Sequence, residues 1–324
     1  MAKRLKITVS GVHSAADIPG IEPVRNPVQL VFATNLDELR DVLPGSEILL
    51  SWNFRADQLR KAWDLATDLK WIHWCGAGVD AALFPALRDS EVILTNARGV
   101  FDRPMAEYVL GLIIAMAKSF PDTFAAKSTR TWAYQLTGKI EGRRALIVGT
   151  GSIGRSIASL LGAVGMQVTG VGRTPREGDA DFGRIHGIDE LNSVLAAADY
   201  VINVTPLTEA THNLFSSIRF AAMKPAARFI NVGRGASVDE PALKKALDNG
   251  IIAGAALDVF QTEPLPADSP LWSTENLIIS THMSGDFFGH ERALVELFVE
   301  NLRRYRAGIP LKNVVDKLAG FVSS

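Results

Sequence analysis

The sequence predicts an α/β protein with two doubly wound parallel sheets. Short apolar runs alternate with amphipathic helical stretches along nearly the whole chain, and a stronger series of the same kind begins after residue 143. Strands that alternate with crossover helices form parallel sheets covered by helices. The length of 324 residues exceeds that of a usual single core, so two domains are expected.

The first series occupies the first hundred residues. Its apolar runs predict strands at 7–9, 48–51, 71–73 and 92–94, and its amphipathic stretches predict helices at 36–43 and 56–65. Asp102 followed by Pro104 then indicates the start of a long helix that runs to about Lys118 and is closed by Pro121. This helix is apolar on more than one face, so it is expected to lie between layers, domains or subunits.

The second series predicts six strands and four helices. The strands are expected at 145–148, 167–171, 200–203, 228–231, 252–257 and 277–280, and the helices at 153–164, 190–197, 216–222 and 240–249. A last helix at about 290–307 and a short tail are expected to return to the first domain. The predicted domains are therefore 1–102 with 289–324 and 103–288, with hinges near 102 and 288.

Composition limits the class of partner. The 34 basic and 35 acidic residues give a formal net charge of -1, which favours a small-molecule substrate over nucleic acid or an anionic membrane. The single cysteine, Cys75, excludes an intrachain disulfide and is expected to be buried. No signal peptide or membrane span is predicted, so the cytoplasm is expected. The six histidines show no metal-binding spacing, and no metal is expected.

A glycine-rich turn opens the second series. Gly149, Gly151 and Gly154 form a G-x-G-x-x-G between a predicted strand and a predicted helix, with Ser152 and Ile153 inside it. The glycines permit a tight turn, the approach of pyrophosphate and close helix packing, and the helix start binds the anion. This context predicts a Rossmann-like dinucleotide site, so these five residues are candidate cofactor ligands. The domain 103–288 is therefore expected to bind the dinucleotide, and the domain formed by 1–102 and 289–324 to bind the substrate.

The end of the following strand predicts the cofactor. An NAD site usually has an acidic residue there for the ribose 2′-hydroxyl, whereas this chain has Arg173, Thr174 and Arg176. These side chains can donate hydrogen bonds to a 2′-phosphate, which favours NADP, with NAD still possible. The alternative is that the arginines belong only to a solvated loop.

Three polar residues follow successive strands of the second series: Arg234, Glu263 and His282. The carboxyl ends of parallel strands share one edge, so these side chains are expected to converge. Hydride transfer to a 2-oxo acid needs an arginine fork for the carboxylate, a histidine that exchanges a proton and a carboxylate that orients it. Taken singly, a surface arginine, a loop cap and a structural histidine are the better explanations. Together, at successive strand ends behind a dinucleotide loop, the three residues favour an active site.

These motifs resemble those of the D-isomer-specific 2-hydroxyacid dehydrogenase family, in particular its glyoxylate/hydroxypyruvate reductase-like members. The resemblance extends over essentially the whole chain and is densest at 149–285. It implies that Arg234, Glu263 and His282 are catalytic, with Arg234 and His282 also contacting the substrate. It further matches a substrate-carboxylate loop to Ala77 and Gly78. Further matches to family motifs are Asn96, Gly99, Ala106 and Glu107.

The resemblance also implies further cofactor contacts and an oligomer. Asp258 is expected to contact the nicotinamide carboxamide, and two subunits are expected to pair through their nucleotide domains. The other candidate cofactor contacts are Thr205, Pro206, Val232, His282 and Gly285.

Departures from the family pattern leave other functions open. Thr281 stands where the family often has proline, and Glu263, where formate dehydrogenases have glutamine, disfavours that activity. A phosphoglycerate-like or other 2-hydroxy acid is the alternative substrate, and a non-catalytic, nucleotide-sensing corepressor is the alternative class. Trp52, Phe54 and Trp132 are candidate pocket residues, although large aromatics more often pack in cores.

Overall fold

The computed structural model describes residues 4–24, 28–53 and 57–322. The chain divides into two compact units: unit 1 is Met1–Phe101 with Phe287–Ser324, and unit 2 is Asp102–Asp286. Each unit contains a largely parallel sheet with helices, which confirms the predicted fold class. The chain of unit 2 is inserted between the two segments of unit 1.

Unit 1 contains a five-stranded parallel sheet in the order β2-β1-β3-β4-β5. The sequence did not predict β2 or the short helix α3. The strands are β1 Leu5–Ser10, β2 Val28–Ala33, β3 Ile48–Ser51, β4 Trp71–Trp74 and β5 Ile93–Thr95, and the helices are α1 Leu36–Val42, α2 Asp57–Lys61 and α3 Pro85–Arg88.

Unit 2 contains an eight-stranded sheet in the order β13-β12-β11-β10-β6-β7-β9-β8, parallel except for the β8–β9 hairpin. Its strands are β6 Arg144–Val148, β7 Gln167–Val171, β8 Arg176–Asp179, β9 Gly183–His186, β10 Tyr200–Asn203, β11 Arg228–Asn231, β12 Gly254–Leu257 and β13 Leu277–Ile279. Its helices are α4 Asp102–Ala117, α5 Phe120–Ser128, α6 Ser152–Ala163, α7 Leu191–Leu195, α8 Ser217–Ala221 and α9 Glu240–Asp248. The strand order reverses between β6 and β10, where dinucleotides bind in sheets of this type.

The chain after α4 differs from the prediction. A further helix, α5, begins shortly after α4 ends. Pro121 lies in the first turn of α5, where a residue needs no N–H for helical hydrogen bonding. Ser119 makes the break between the helices with a φ of 50°. None of the described helices is by itself long and apolar enough to cross a bilayer, although α4 and α5, bent by 62°, meet the length and composition test as a pair.

The last helix, α10 (His290–Ala307), belongs to unit 1, as does the tail that follows it. Val315 N–H donates to Leu94 O at 2.8 Å, which attaches the tail to the edge strand β5. The tail therefore completes the edge of the unit 1 sheet.

The core of unit 1 contains a histidine. His73 on β4 is fully buried against the ring of Phe298, and burial lowers its pKa to about 3. Its Nδ1 lies 2.8 Å from the hydroxyl of Thr95, while its Nε2 has no hydrogen-bond partner among the described residues. His73 is therefore a neutral core residue. Cys75, one residue beyond β4, is also fully buried, as predicted.

Candidate active site

The glycine-rich loop joins β6 to α6, and the structural reason for a glycine differs from one position of the loop to another. Gly149 has a φ of 112°, and a Cβ on Gly154 would lie 2.0 Å from Gly149 O. Both positions therefore require glycine for the protein's own packing. Gly151 has an ordinary φ of -74°, and a Cβ there would meet nothing within 4 Å. The open space beside Gly151, at the amide-rich start of α6, fits the pyrophosphate of a dinucleotide.

The two residues that follow Gly151 begin α6. Ser152 and Ile153 are both half-buried, and the Ser152 hydroxyl donates to Asp102 Oδ1 at 3.3 Å. This bond connects the start of α6 to the start of α4. Ser152 thus anchors the start of α6, while the space beside Gly151 remains open.

The arginine-rich segment leads into the β8–β9 hairpin, which the sequence did not predict. Arg173 and Thr174 are exposed at the end of β7. Arg176 is exposed as well and pairs with Asp179 at 2.7 Å, and Arg155 on α6 binds the same carboxylate at 3.0 Å. The hydrogen bond from Arg155, together with that from Arg176, holds the pKa of the Asp179 carboxyl well below its usual range despite partial burial. The network positions the segment that contains Arg173.

Buried polar side chains hold the turns after β10 and β11. Asn203 is fully buried and donates to Asn231 Oδ1 at 2.9 Å and to Ser237 Oγ at 2.7 Å. Its own Oδ1 accepts from the Thr205 hydroxyl at 2.9 Å. Asn231 in turn donates to Arg234 O at 3.0 Å. No motif predicted this network, although an asparagine at the end of each of two apolar strands is an unusual pattern that could have indicated it.

Arg234 follows the turn after β11. It is half-buried, and its guanidinium donates to Gly233 O at 2.9 Å. The next residue must be glycine, because a Cβ on Gly235 would lie 1.9 Å from the carbonyl carbon of Phe260. This close approach brings the Arg234 turn against the segment that leads to Glu263.

Glu263 and His282 form a hydrogen-bonded pair. His282 Nδ1 lies 2.6 Å from Glu263 Oε2, and Glu263 Oε1 accepts from Phe260 N–H at 2.9 Å. The bond to Glu263 raises the pKa of His282 above its usual value, against burial and the nearby Arg234 charge. Burial pushes the pKa of Glu263 up, but the bonds from His282 and Phe260 outweigh it and the pKa is lowered. The pair therefore favours a charged imidazolium beside a carboxylate.

The loop that carries His282 is organised by Asp258. This fully buried carboxylate accepts from the Ser280 hydroxyl at 2.7 Å, Met283 N–H at 3.0 Å and Ser284 N–H at 3.0 Å. His282 itself has a φ of 53°, an uncommon conformation for a residue other than glycine. The three bonds to Asp258 stabilise that conformation.

The remaining cofactor candidates lie on unit 2 in different degrees of exposure. Thr205 and Val232 are buried at the ends of β10 and β11, Gly285 is half-buried and Pro206 is exposed. Among the described residues, no cluster of three or more His, Cys, Asp or Glu side chains has a geometry that could hold a metal ion.

The predicted carboxylate loop lies in unit 1, directly after β4. Ala77 and Gly78 are half-buried between the buried residues Gly76 and Val79. Trp74 Nε1 donates to Gly78 O at 2.8 Å, and Asn96 Nδ2 donates to Ala77 O at 2.6 Å. Both carbonyls are thus held by side chains of unit 1.

The three candidate aromatic residues differ in their surroundings. Trp52 is half-buried in unit 1, and Phe54 lies outside the described residues. Trp132 is 97% exposed, so the expectation that it packs in a core is wrong for the single chain. Residues 131–139 around it have no regular secondary structure and are all exposed.

Comparison with known proteins identifies one family. Residues 110–284, which are more than half of the chain, match the model of the "D-isomer specific 2-hydroxyacid dehydrogenase, NAD binding domain". A solved D-isomer-specific 2-hydroxyacid dehydrogenase family protein from Aeromonas salmonicida is 34% identical, with a TM-score of 0.84 over 98% of this chain and 100% of that one.

Two further relatives differ in the activity for which they are named. An NADPH-dependent glyoxylate/hydroxypyruvate reductase from Sinorhizobium meliloti, solved with NADP and sulfate, is 25% identical, with a TM-score of 0.85 over 98% of this chain and 100% of that one. A D-3-phosphoglycerate dehydrogenase from Methanocaldococcus jannaschii is 31% identical over 89% of this chain and 55% of its own length.

Proposed function

The chain belongs to the D-isomer-specific 2-hydroxyacid dehydrogenase family, and we propose that within this family of NAD(P)-dependent oxidoreductases it is an NADP(H)-preferring reductase of glyoxylate or hydroxypyruvate. The 2.6 Å bond between Glu263 and His282 is the observation that carries the proposed chemistry. This bond raises the pKa of His282, which favours the imidazolium that can donate a proton. The positive charge of Arg234 is close enough to act on the same pKa.

His282 exchanges the proton in this proposal. When bound, the nicotinamide supplies or accepts the hydride at C2 of the acid. Glu263 engages His282 Nδ1, so Nε2 is assigned as the nitrogen that donates a proton to the C2 oxygen in reduction and removes it in oxidation. Glu263 orients the ring and stabilises its charged form.

Arg234 and the loop at Ala77 and Gly78 are assigned to the substrate. A guanidinium can bind a carboxylate with two parallel hydrogen bonds and polarise the adjacent carbonyl. The backbone network through Asn231 fixes the Arg234 main chain, so less ordering is required when the acid binds. In unit 1 the amides of the half-buried loop supply a second set of donors for an anion.

The cofactor is assigned to the switch point of the unit 2 sheet. The pyrophosphate is assigned to the open space at Gly151. Asp258, whose fully buried carboxylate holds the neighbouring loop through three hydrogen bonds, is assigned to the carboxamide. Arg173, Thr174 and Arg176 are assigned to the 2′-phosphate. The absence of an acidic residue at 173–176 supports NADP, as does the cofactor named with the Sinorhizobium relative.

The assay that tests the proposal follows NADPH or NADH absorbance with glyoxylate, hydroxypyruvate, phenylpyruvate and 3-phosphohydroxypyruvate. The highest kcat/KM is expected for NADPH with glyoxylate or hydroxypyruvate, with D-glycerate as the product of the latter. A preference for 3-phosphohydroxypyruvate would instead assign a phosphoglycerate-type reaction. Nucleotide binding without turnover of any acid would indicate a sensing protein.

A homodimer is proposed from the exposed segment after α5. Trp132, Tyr134 and Leu136 are 97%, 84% and 87% exposed, an apolar surface that monomers rarely present. Pairing of two copies through unit 2 would bury it. Light scattering after size exclusion is expected to give twice the chain mass, and Trp132→Glu with Leu136→Glu is expected to shift the mass to that of one chain.

We also propose a cytoplasmic location, which cell fractionation can test.

A further inference from the structure

The amide loop in unit 1 has an unusual arrangement of its carbonyl groups. In two successive peptides the carbonyl oxygen accepts a hydrogen bond from a side chain of unit 1: Ala77 O from Asn96 and Gly78 O from Trp74. Both donors are buried, Asn96 at 4% exposure and Trp74 at 2%. The donors therefore lie on the inner side of the loop.

The orientation of the Asn96 amide is fixed by its second bond. Asn96 Oδ1 accepts from Arg98 N–H at 3.2 Å, so the NH₂ group must be the one that faces Ala77 O. The Asn313 side chain donates to Asn96 O at 3.3 Å and to Arg98 O at 2.8 Å, which holds this segment from the tail. The donor is thus rigidly placed.

Peptide geometry then determines where the amide hydrogens point. In a planar trans peptide the N–H lies opposite the C=O, so the N–H groups of Gly78 and Val79 are directed away from Asn96 and Trp74. Within the described part of the chain neither N–H donates a hydrogen bond. A hydrogen bond at the carbonyl also polarises the same peptide and strengthens its N–H as a donor.

We propose that Trp74 and Asn96 are positioning residues for the substrate carboxylate: by binding the carbonyls of Gly78 and Ala77 from within, they orient and polarise two consecutive amides toward the anion. This inference rests on the proposed function, because it assigns the carboxylate to that loop. Neither side chain contacts the acid itself; each acts through a peptide.

Trp74→Phe removes one donor while keeping most of the side-chain volume. Asn96→Leu also keeps most of the volume, but it removes the other donor together with the Oδ1 that accepts from Arg98 N–H. Trp71→Phe is the matched control, because Trp71 lies on the same strand, is fully buried and donates its indole N–H at 2.8 Å to Thr95 rather than to the loop. For each variant, calorimetry of the NADPH-loaded protein with oxalate gives the anion Kd. Steady-state kinetics with glyoxylate give KM and kcat, and thermal unfolding reports the fold.

Loss of one donor is expected to raise the oxalate Kd and the glyoxylate KM by about 2- to 12-fold, the usual worth of a hydrogen bond. The kcat and the NADPH Kd should stay within twofold, because the carboxylate is held equally before and during hydride transfer. Trp71→Phe should match the wild type in all four quantities. A purely structural role would lower stability in all three variants without separating KM from kcat.

An unchanged oxalate Kd in folded Trp74→Phe and Asn96→Leu proteins would overturn the inference, as would an equal change in Trp71→Phe or no oxalate binding by the wild type. If one variant does not fold, the other decides, because the two bonds serve different peptides. Failure of the proposed function looks different: the wild type would reduce none of the acids, while the oxalate titrations would still report on the loop.

Discussion

Two glycines of the same loop are expected to respond in opposite ways to an added methyl group. A Cβ on Gly154 would lie 2.0 Å from Gly149 O, 1.4 Å short of the 3.4 Å at which ordinary contact begins. The obstructing atom is backbone, so β6 or α6 must move. A Cβ on Gly151 would meet no protein atom within 4 Å, and its φ of -74° suits any residue.

The magnitudes follow from these contacts. Gly154→Ala overpacks the loop and should cost about 1–3 kcal/mol or more of the free energy of unfolding, which lowers Tm by roughly 2–12 °C for a unit of this size. Gly151→Ala should change stability by less than about 1 kcal/mol, because a poorer helix cap is offset by a less flexible unfolded chain. Its methyl group, however, occupies the pyrophosphate space. Loss of one charge-assisted bond there should raise the NADPH Kd about 10- to 150-fold.

Calorimetric unfolding of the free protein and NADPH titration by calorimetry measure the two effects separately. A Gly151→Ala protein that binds NADPH as tightly as the wild type would refute the placement of the pyrophosphate. A Gly151→Ala protein that loses as much stability as Gly154→Ala would refute the account of the open space.

Three other predictions concern the remaining charged and titratable groups. Arg234→Ala should lower kcat/KM about 10- to 150-fold, with Arg234→Lys recovering only part, because lysine lacks the planar fork; wild-type kinetics in either variant would remove Arg234 from the site. Arg173→Asp should reverse the preference for NADPH over NADH, while Arg176→Ala should reduce it less, because Arg176 already pairs with Asp179; equal kcat/KM ratios in all three proteins would contradict this. Folding holds the pKa of His73 near 3, so between pH 6.5 and 3 the unfolded chain binds a proton that the folded chain does not. The free energy of unfolding of the wild type should therefore fall by up to about 1.4 kcal/mol per pH unit as the pH decreases over this range. His73→Leu should make this pH dependence weaker. An equal slope in wild type and variant, measured by urea unfolding, would exclude His73 as its source.

The regular elements with apolar periodicity could be predicted from the sequence. The strands at 167–171, 200–203 and 228–231 and the helix at 290–307 agree with the structure residue for residue. Each of these strands has apolar residues that face the buried parts of a parallel sheet, and the last helix has a clear apolar stripe. The convergence of Glu263 and His282 followed from strand order alone, since parallel strands end at one edge.

Other elements lack that pattern. The β8–β9 hairpin, with sequences Arg-Glu-Gly-Asp and Gly-Arg-Ile-His, is polar and is held by the ion pairs of Asp179, which no periodicity predicts. Helix α5 was missed because Pro121 indicates a helix end and a helix first turn equally well. Asn96 matches a family motif and Trp74 matches none, but no motif predicts the hydrogen bonds of either, because these depend on which carbonyl each side chain reaches in three dimensions.

The pH dependence of both reaction directions tests the central claim, that His282 paired with Glu263 transfers the proton. With NADPH and glyoxylate, kcat/KM of the wild type should fall as pH rises through the raised pKa of His282, while oxidation of glycolate with NADP should rise over the same range. Glu263→Gln keeps a hydrogen bond to His282 but removes the charge. The pH above which kcat/KM for reduction declines should therefore be lower in this variant, with activity retained. His282→Ala should lower kcat about 10²–10⁴-fold and leave the NADPH Kd nearly unchanged. Two results would contradict the account: reduction that declines at the same pH in Glu263→Gln as in the wild type, or near-wild-type turnover in His282→Ala.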